Sequence, residues 1–126
     1  MGDVNYQRLA QSAVTTAGTT LSIYANPSNT TTYVRQIWLH ATNYGCLNFS
    51  RTSLILYYSR NSAGSEKKNP NVTEAFFCRS LATNETYLLD CGVPGIVMSS
   101  KNDAIAMWHR SKTTINYIMS GVSEAK

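Results

Sequence analysis

Apolar and polar positions alternate in short runs broken by turn-forming residues, and nowhere does the spacing sustain an amphipathic helix of any length. The most extended run, Thr31–Thr42, reads TTYVRQIWLHAT and contains neither glycine nor proline. β-Branched and aromatic residues dominate it, which favours extended backbone. Tyr33, Ile37, Leu39 and Ala41 mark one side, and Val34, Trp38 and His40 the other. Apolar side chains on both sides predict a central strand covered on both faces. Arg35 and Gln36 interrupt the alternation, which leaves room for a bulge there.

The same reading predicts further strands. Thr19–Ala25 sets Leu21, Ile23 and Ala25 against Ser22 and Tyr24, and Asn26-Pro27-Ser28-Asn29 ends it with turn chemistry. Asn43-Tyr44-Gly45 closes the central strand. Thr52–Ser59 places Leu54, Leu56 and Tyr58 opposite Ile55 and Tyr57. Val72–Leu81 and Glu85–Cys91 flank a turn at Ala82-Thr83-Asn84, and Gly92-Val93-Pro94-Gly95 is a sharp break before Ile96-Val97-Met98. Ala104–His109 sets Ile105 and Met107 against small alanines. Thr113–Val122 puts Ile115, Tyr117 and Met119 on one face, with Ile118 and Val122 on the other. Seven to nine strands at spacings of roughly eight to fifteen residues predict an all-β antiparallel sandwich, jelly-roll or Ig-like. Residues 1–11 form either a terminal arm or a first edge strand, and 60–71 a long surface loop.

Composition narrows the class. The 126 residues suit one domain with its own core; 43% are hydrophobic and only 14% charged, so serine, threonine and asparagine supply the polar surface. No run of about 18 apolar residues predicts a membrane helix. The N-terminus lacks the layout of a secretory signal, which implies use without export or a removed leader. The net charge of +4 comes from scattered cations, with only Lys67 and Lys68 adjacent, so no nucleic-acid face is expected. Cys46, Cys78 and Cys91 have no C-x-x-C spacing; zinc is not expected, and buried free thiols are, with one disulfide as the alternative.

Little chemistry is visible. His40 and His109 with Asp90 or Asp103 offer the raw material of a hydrolase, but no nucleophile turn accompanies them. Glu74, Glu85 and Asp90 lie at or near strand ends, where solvated carboxylates are ordinary. Asn29, Asn48, Asn71 and Asn84 begin N-x-S/T triplets, which chance explains in a chain rich in these residues. No catalytic residue, cofactor or metal is therefore expected. Surface loops often carry binding, which makes Arg60, Lys67, Lys68 and Asn69 the candidate partner-contact loop. Eight tyrosines and two tryptophans could stack sugars, but strand alternation assigns most to core or subunit contacts.

Two long stretches, Tyr6–Asn43 and Leu81–Val122, resemble small structural proteins of tailed-bacteriophage virions. Asn84-Glu85-Thr86, Leu88-Leu89-Asp90, Asn102-Asp103 and Ser120-Gly121-Val122 carry the likeness in the second half. Cys91-Gly92 and the Ser99–Lys101 turn depart from it. The resemblance implies a non-enzymatic virion component assembled in the host cytoplasm. Capsid decoration (cement) protein comes first, with neck, head-fibre or tail and baseplate adaptor, or a carbohydrate-binding module of a tail device, as alternatives. It also implies the major capsid protein or other virion proteins as partners, a homo-oligomer with a trimer favoured, and no nucleic acid or membrane.

Overall fold

The computed structural model describes residues 6–15, 18, 20–42, 51–59, 75–110 and 114–126. Among these residues run nine strands and no helix: β1 (Tyr6–Val14), β2 (Leu21–Ala25), β3 (Thr30–Thr42), β4 (Arg51–Ser59), β5 (Ala75–Ala82), β6 (Thr86–Asp90), β7 (Ile96–Met98), β8 (Ala104–His109) and β9 (Thr114–Ala125). One sheet has the order β1-β9-β3-β6, with β7 also paired to β3; the other has the order β2-β8-β4-β5. Every pairing is antiparallel. The first is called sheet A here and the second sheet B. The protein is an all-β sandwich.

The strand order chooses between the two sandwiches that periodicity left open. β6 and β7 lie end to end on one flank of β3, opposite Gln36–His40 and Thr32–Val34 respectively. Taken as one interrupted strand, they leave two four-stranded layers in jelly-roll order. An Ig-like sandwich keeps its first two strands in one sheet, whereas β1 and β2 belong to opposite ones. Residues 6–11 take the edge-strand alternative, paired with β9.

The layers meet over one apolar cluster. Val34, Ile37, Leu39 and Ala41 of β3 and Ile115, Tyr117 and Met119 of β9 face Leu54 and Leu56 of β4, Leu81 of β5, and Ile105 and Met107 of β8. Burying such side chains fully is worth about 1.5–3 kcal/mol each. His109 joins them with no exposure, its Nε2 donating to the Val14 carbonyl at 3.1 Å and so tying β8 to β1.

Three expectations need correction. β3 is central, with β9 on one flank and β6 and β7 on the other, but only its inner face is covered. A bulge between Val34 and Gln36 explains the phase: Val34, not Tyr33, shares the core face with Ile37. The bulge presses on glycines from both flanks. A Cβ at Gly121 would stand 2.0 Å from the Tyr33 carbonyl oxygen, and one at Gly95, where φ is +95°, 2.2 Å from that of Val34. In β2, a register shift between Ser22 and Tyr24 leaves Ile23 buried while Leu21 and Ala25 are exposed. The cysteines are free but not buried: Cys78 is exposed and Cys91 half-buried, while Cys46 lies outside the described residues.

Polar groups hold one end of the sandwich. Asn26 is 1% exposed, yet fully employed. Its Nδ2 donates to the carbonyls of Thr30 (2.8 Å) and Ser100 (3.1 Å), and its Oδ1 accepts from Thr32 Oγ1 at 2.6 Å. Its backbone exchanges hydrogen bonds with Asp103 and Asn102. Asp103 Oδ2 accepts from Ser100 N (3.1 Å) and Tyr58 OH (3.2 Å). The β2–β3 and β7–β8 turns are thus one unit. Along the β5–β6 side, Phe77 stacks on Tyr87 at 5.6 Å and the Arg79 guanidinium lies 4.1 Å from the Tyr87 ring centre. Glu85 accepts from Ala82 N at 2.7 Å and faces Arg79 at 3.5 Å.

Candidate functional site

The outer face of sheet A is where large apolar side chains remain in water. Residues directly opposite in antiparallel strands share a face, so the register sorts this face into rows across the strands. One row is Val97, Tyr33 and Val122. The next is Asp90, Gln36, Ser120 and Arg8; then Leu88, Trp38, Ile118 and Gln11; then Thr86, His40, Asn116 and Ala13. Apolar and polar rows therefore alternate along the strands. Trp38 is 42% exposed, Ile118 41% and Val97 43%. Val122 is buried without joining the inner cluster, beside Tyr33.

Hydrogen bonds fix the polar rows. His40 Nδ1 and Thr86 Oγ1 share one of 2.7 Å, and Asn116 Nδ2 donates to Thr42 Oγ1 at 2.9 Å. Arg8 Nη1 donates to Gln11 Oε1 at 2.8 Å, and Asp90 Oδ1 accepts from Gly92 N at 3.0 Å. Arg35 turns to the β6–β7 connection, its Nε donating to the Pro94 carbonyl at 3.1 Å. A shallow depression of about 280 Å³ lies beside Trp38, lined also by His40, Thr86, Asn116 and Ile118. A wider trough of about 720 Å³ follows β1 and shares Asn116, Tyr117 and Ile118 with it. Beside Asp90, burial and then the Asp90 charge push the Cys91 thiol above its ordinary pKa. That thiol holds its proton.

The residues offered for hydrolysis are not brought together. His40 lies on the outer face of sheet A, four positions along β3 from the partner of Asp90. That is about 13 Å at 3.3 Å per residue. His109 is inside sheet B, six positions from Asp103, which is about 20 Å along the strand. Glu85 and Asp90 bracket β6 about 16 Å apart, wider than the roughly 5–10 Å a carboxylate pair needs across a glycosidic bond. Glu74 lies outside the described residues. Among the described residues no three His, Cys, Asp or Glu side chains gather as metal ligands, and no helix is long and apolar enough to cross a membrane.

The candidate contact loop, Arg60, Lys67, Lys68 and Asn69, lies outside the described residues. The alternation sets Trp38 opposite Ile37 and Leu39 on a strand expected to be covered on both faces, and Ile118 opposite Ile115, Tyr117 and Met119; both prove to be outward and exposed. Asn26 is expected only as the first residue of the β2–β3 turn; its buried side chain, bonded to Thr30, Ser100 and Thr32, goes beyond that expectation, although such an asparagine is free to bond backbone. No protein-family model, curated protein or solved structure matches this chain.

Proposed function

We propose that this protein is a non-enzymatic structural component of a bacteriophage virion, a decoration protein that stabilises the head by binding across capsid subunits. The observation that carries the reading is the outer face of sheet A. It is a broad, hydrogen-bonded sheet surface that keeps Trp38 and Ile118 side by side in water, with Val97 exposed one polar row away, and exposed apolar surface rimmed by polar groups marks an interaction site. The phrases shared with small phage virion proteins support it. So does the jelly roll, an architecture common in viral capsids and lectins, although a fold by itself is only an analogy for function. A decoration protein needs no reaction: many copies each add a modest interface, and the sum stiffens the shell. Its partners are the major capsid protein and further copies of itself. The test is copy number in purified particles. Hundreds of copies support the head, about a dozen move the protein to the neck, and none in the particle ends the reading.

One feature favours a second reading, a carbohydrate-binding module on a tail device. Trp38 offers an aromatic face beside His40, Thr86 and Asn116, the combination that stacks and hydrogen-bonds a sugar ring. A glycan array with no signal above background would dismiss it.

A further inference from the structure

We infer that the outer face of sheet A is covered by the same face of a second copy of this chain, related by a two-fold axis. The axis lies in the interface, along the strands, midway between β3 and β9. This deepens the assembly reading above by giving the outer face of sheet A to the contact between copies, so that the capsid is met by other surfaces of the pair. The pairing itself is argued from the register alone.

Sheet A has four strands in width, β1, β9, β3 and β6. The proposed axis lays each row on its own copy while exchanging β3 with β9 and β6 with β1. Each row then meets its complement. Arg8, exposed at one end of its row, faces Asp90, exposed at the other end, and the reverse contact is made by symmetry. Trp38 faces Ile118 at the centre of its row, with Leu88 against Gln11 at the ends, and Tyr33 lies over Val122, which is already buried within its own copy. Gln36 faces Ser120 and His40 faces Asn116, so polar groups meet polar groups. An isologous contact requires this self-complementarity.

Other arrangements fail on the same rows. Sliding one copy along the strands by one row would set Trp38 and Ile118 against the Arg8–Asp90 row. An axis perpendicular to the strands would keep each strand on itself and set Arg8 on its own β1. There it would meet no carboxylate.

The area is sufficient for a modest dimer. Four strands at about 4.8 Å and seven residues at about 3.3 Å give a flat footprint of about 440 Å² per copy. The pair buries about 900 Å² before side-chain relief is counted, below the roughly 1,200–2,000 Å² of stable interfaces and in the range of weak, transient ones. Sheets stacked this way run nearly aligned, as the axis demands.

Light scattering after size-exclusion chromatography of the full chain, over a range of loading concentrations, tests the inference. Twice the 13.9 kDa chain mass is expected, dissociating on dilution. Trp38→Asp should give monomer at every concentration, with an unchanged far-ultraviolet circular dichroism spectrum. Arg8→Asp and Asp90→Arg should each weaken pairing at least tenfold, and the double variant should recover it, because only the two-fold contact joins these residues. A wild-type monomer, a trimer indifferent to Trp38→Asp, or a double variant no better than the singles would overturn the pairing. Binding to emptied capsids is scored separately. A monomer that decorates capsids sinks the pairing and leaves the virion reading standing; a dimer that ignores them does the reverse.

Discussion

Val34, Ile37, Leu39 and Ala41 on the inner face of β3 retain no exposure, whereas Trp38 on the outer face retains 42%. Both sets are apolar and both belong to the same strand. The inner set meets a second sheet; Trp38 on the outer face has Ile118 and Leu88 as its register partners and no second layer over it among the described residues. Apolar character therefore tells which positions want cover, and the layer arrangement tells which of them receive it from the chain itself.

The sharpest way to break the comparison is to remove the same kind of mass from each face. Leu39→Ala should cost about 2–5 kcal/mol in urea unfolding, because it empties a dry, close-packed site. At dilutions where the protein is monomeric, Trp38→Ala should cost less than about 1 kcal/mol, the scale of a cross-strand pair. Equal costs would mean that the outer face is not open. Gly121→Ala should come next, at about 1–3 kcal/mol, since its Cβ would overlap the Tyr33 carbonyl.

Asn26→Ala should lie in a similar range, about 1–3 kcal/mol, because it removes three hydrogen bonds, with Thr30, Ser100 and Thr32, from a buried site. Amide exchange at Asn102, whose N–H donates to the Asn26 carbonyl, should quicken in step. The smallest effect is on pH dependence. Burial raises the pKa of Cys91 and of Tyr117, the latter partly offset by a hydrogen bond from Ser12. The folded state therefore holds these protons where the unfolded chain has released them. That stabilisation is complete below the ordinary values, 9.0 and 10.0, and is lost as pH rises past them. A melting temperature that held constant from pH 8 to pH 11 would contradict this.

Much of the fold was legible because period two is a strong signal wherever a strand has one dry face. Ile105 and Met107 in β8, and Ile115, Tyr117 and Met119 in β9, are inward as their alternation requires. Alternation fails at the bulges. Arg35 shifts the phase of β3, and the register shift in β2 limits its core contribution to Ile23. Gly121 carried a readable hint, because a glycine inside a strand often marks close backbone approach. The cysteines were misjudged because small apolar character was taken for burial; Cys78 points outward on the edge strand β5. The pairing of outer rows was not legible at all. It depends on which strands neighbour, and Arg8 and Asp90 lie far apart along the chain.

The bulge at Arg35 and the glycines beside it amount to a tooth and two notches. Arg35 is the surplus residue of β3: its carbonyl holds Cys91 N at 2.8 Å and its Nε holds the Pro94 carbonyl. Excising it would leave Val34 and Ile37 on the side they already occupy, joined by an uninterrupted zigzag. The notches would then have nothing to receive. Alanine at 121, harmful in the intact chain, should become far better tolerated in the shortened one, at the expense of a loosened β6–β7 connection, whereas alanine at 95 would keep the strain of its φ of +95°. The three positions are one mechanical part spread over two strands and the β6–β7 connection, and substitutions there should be interpreted as a set.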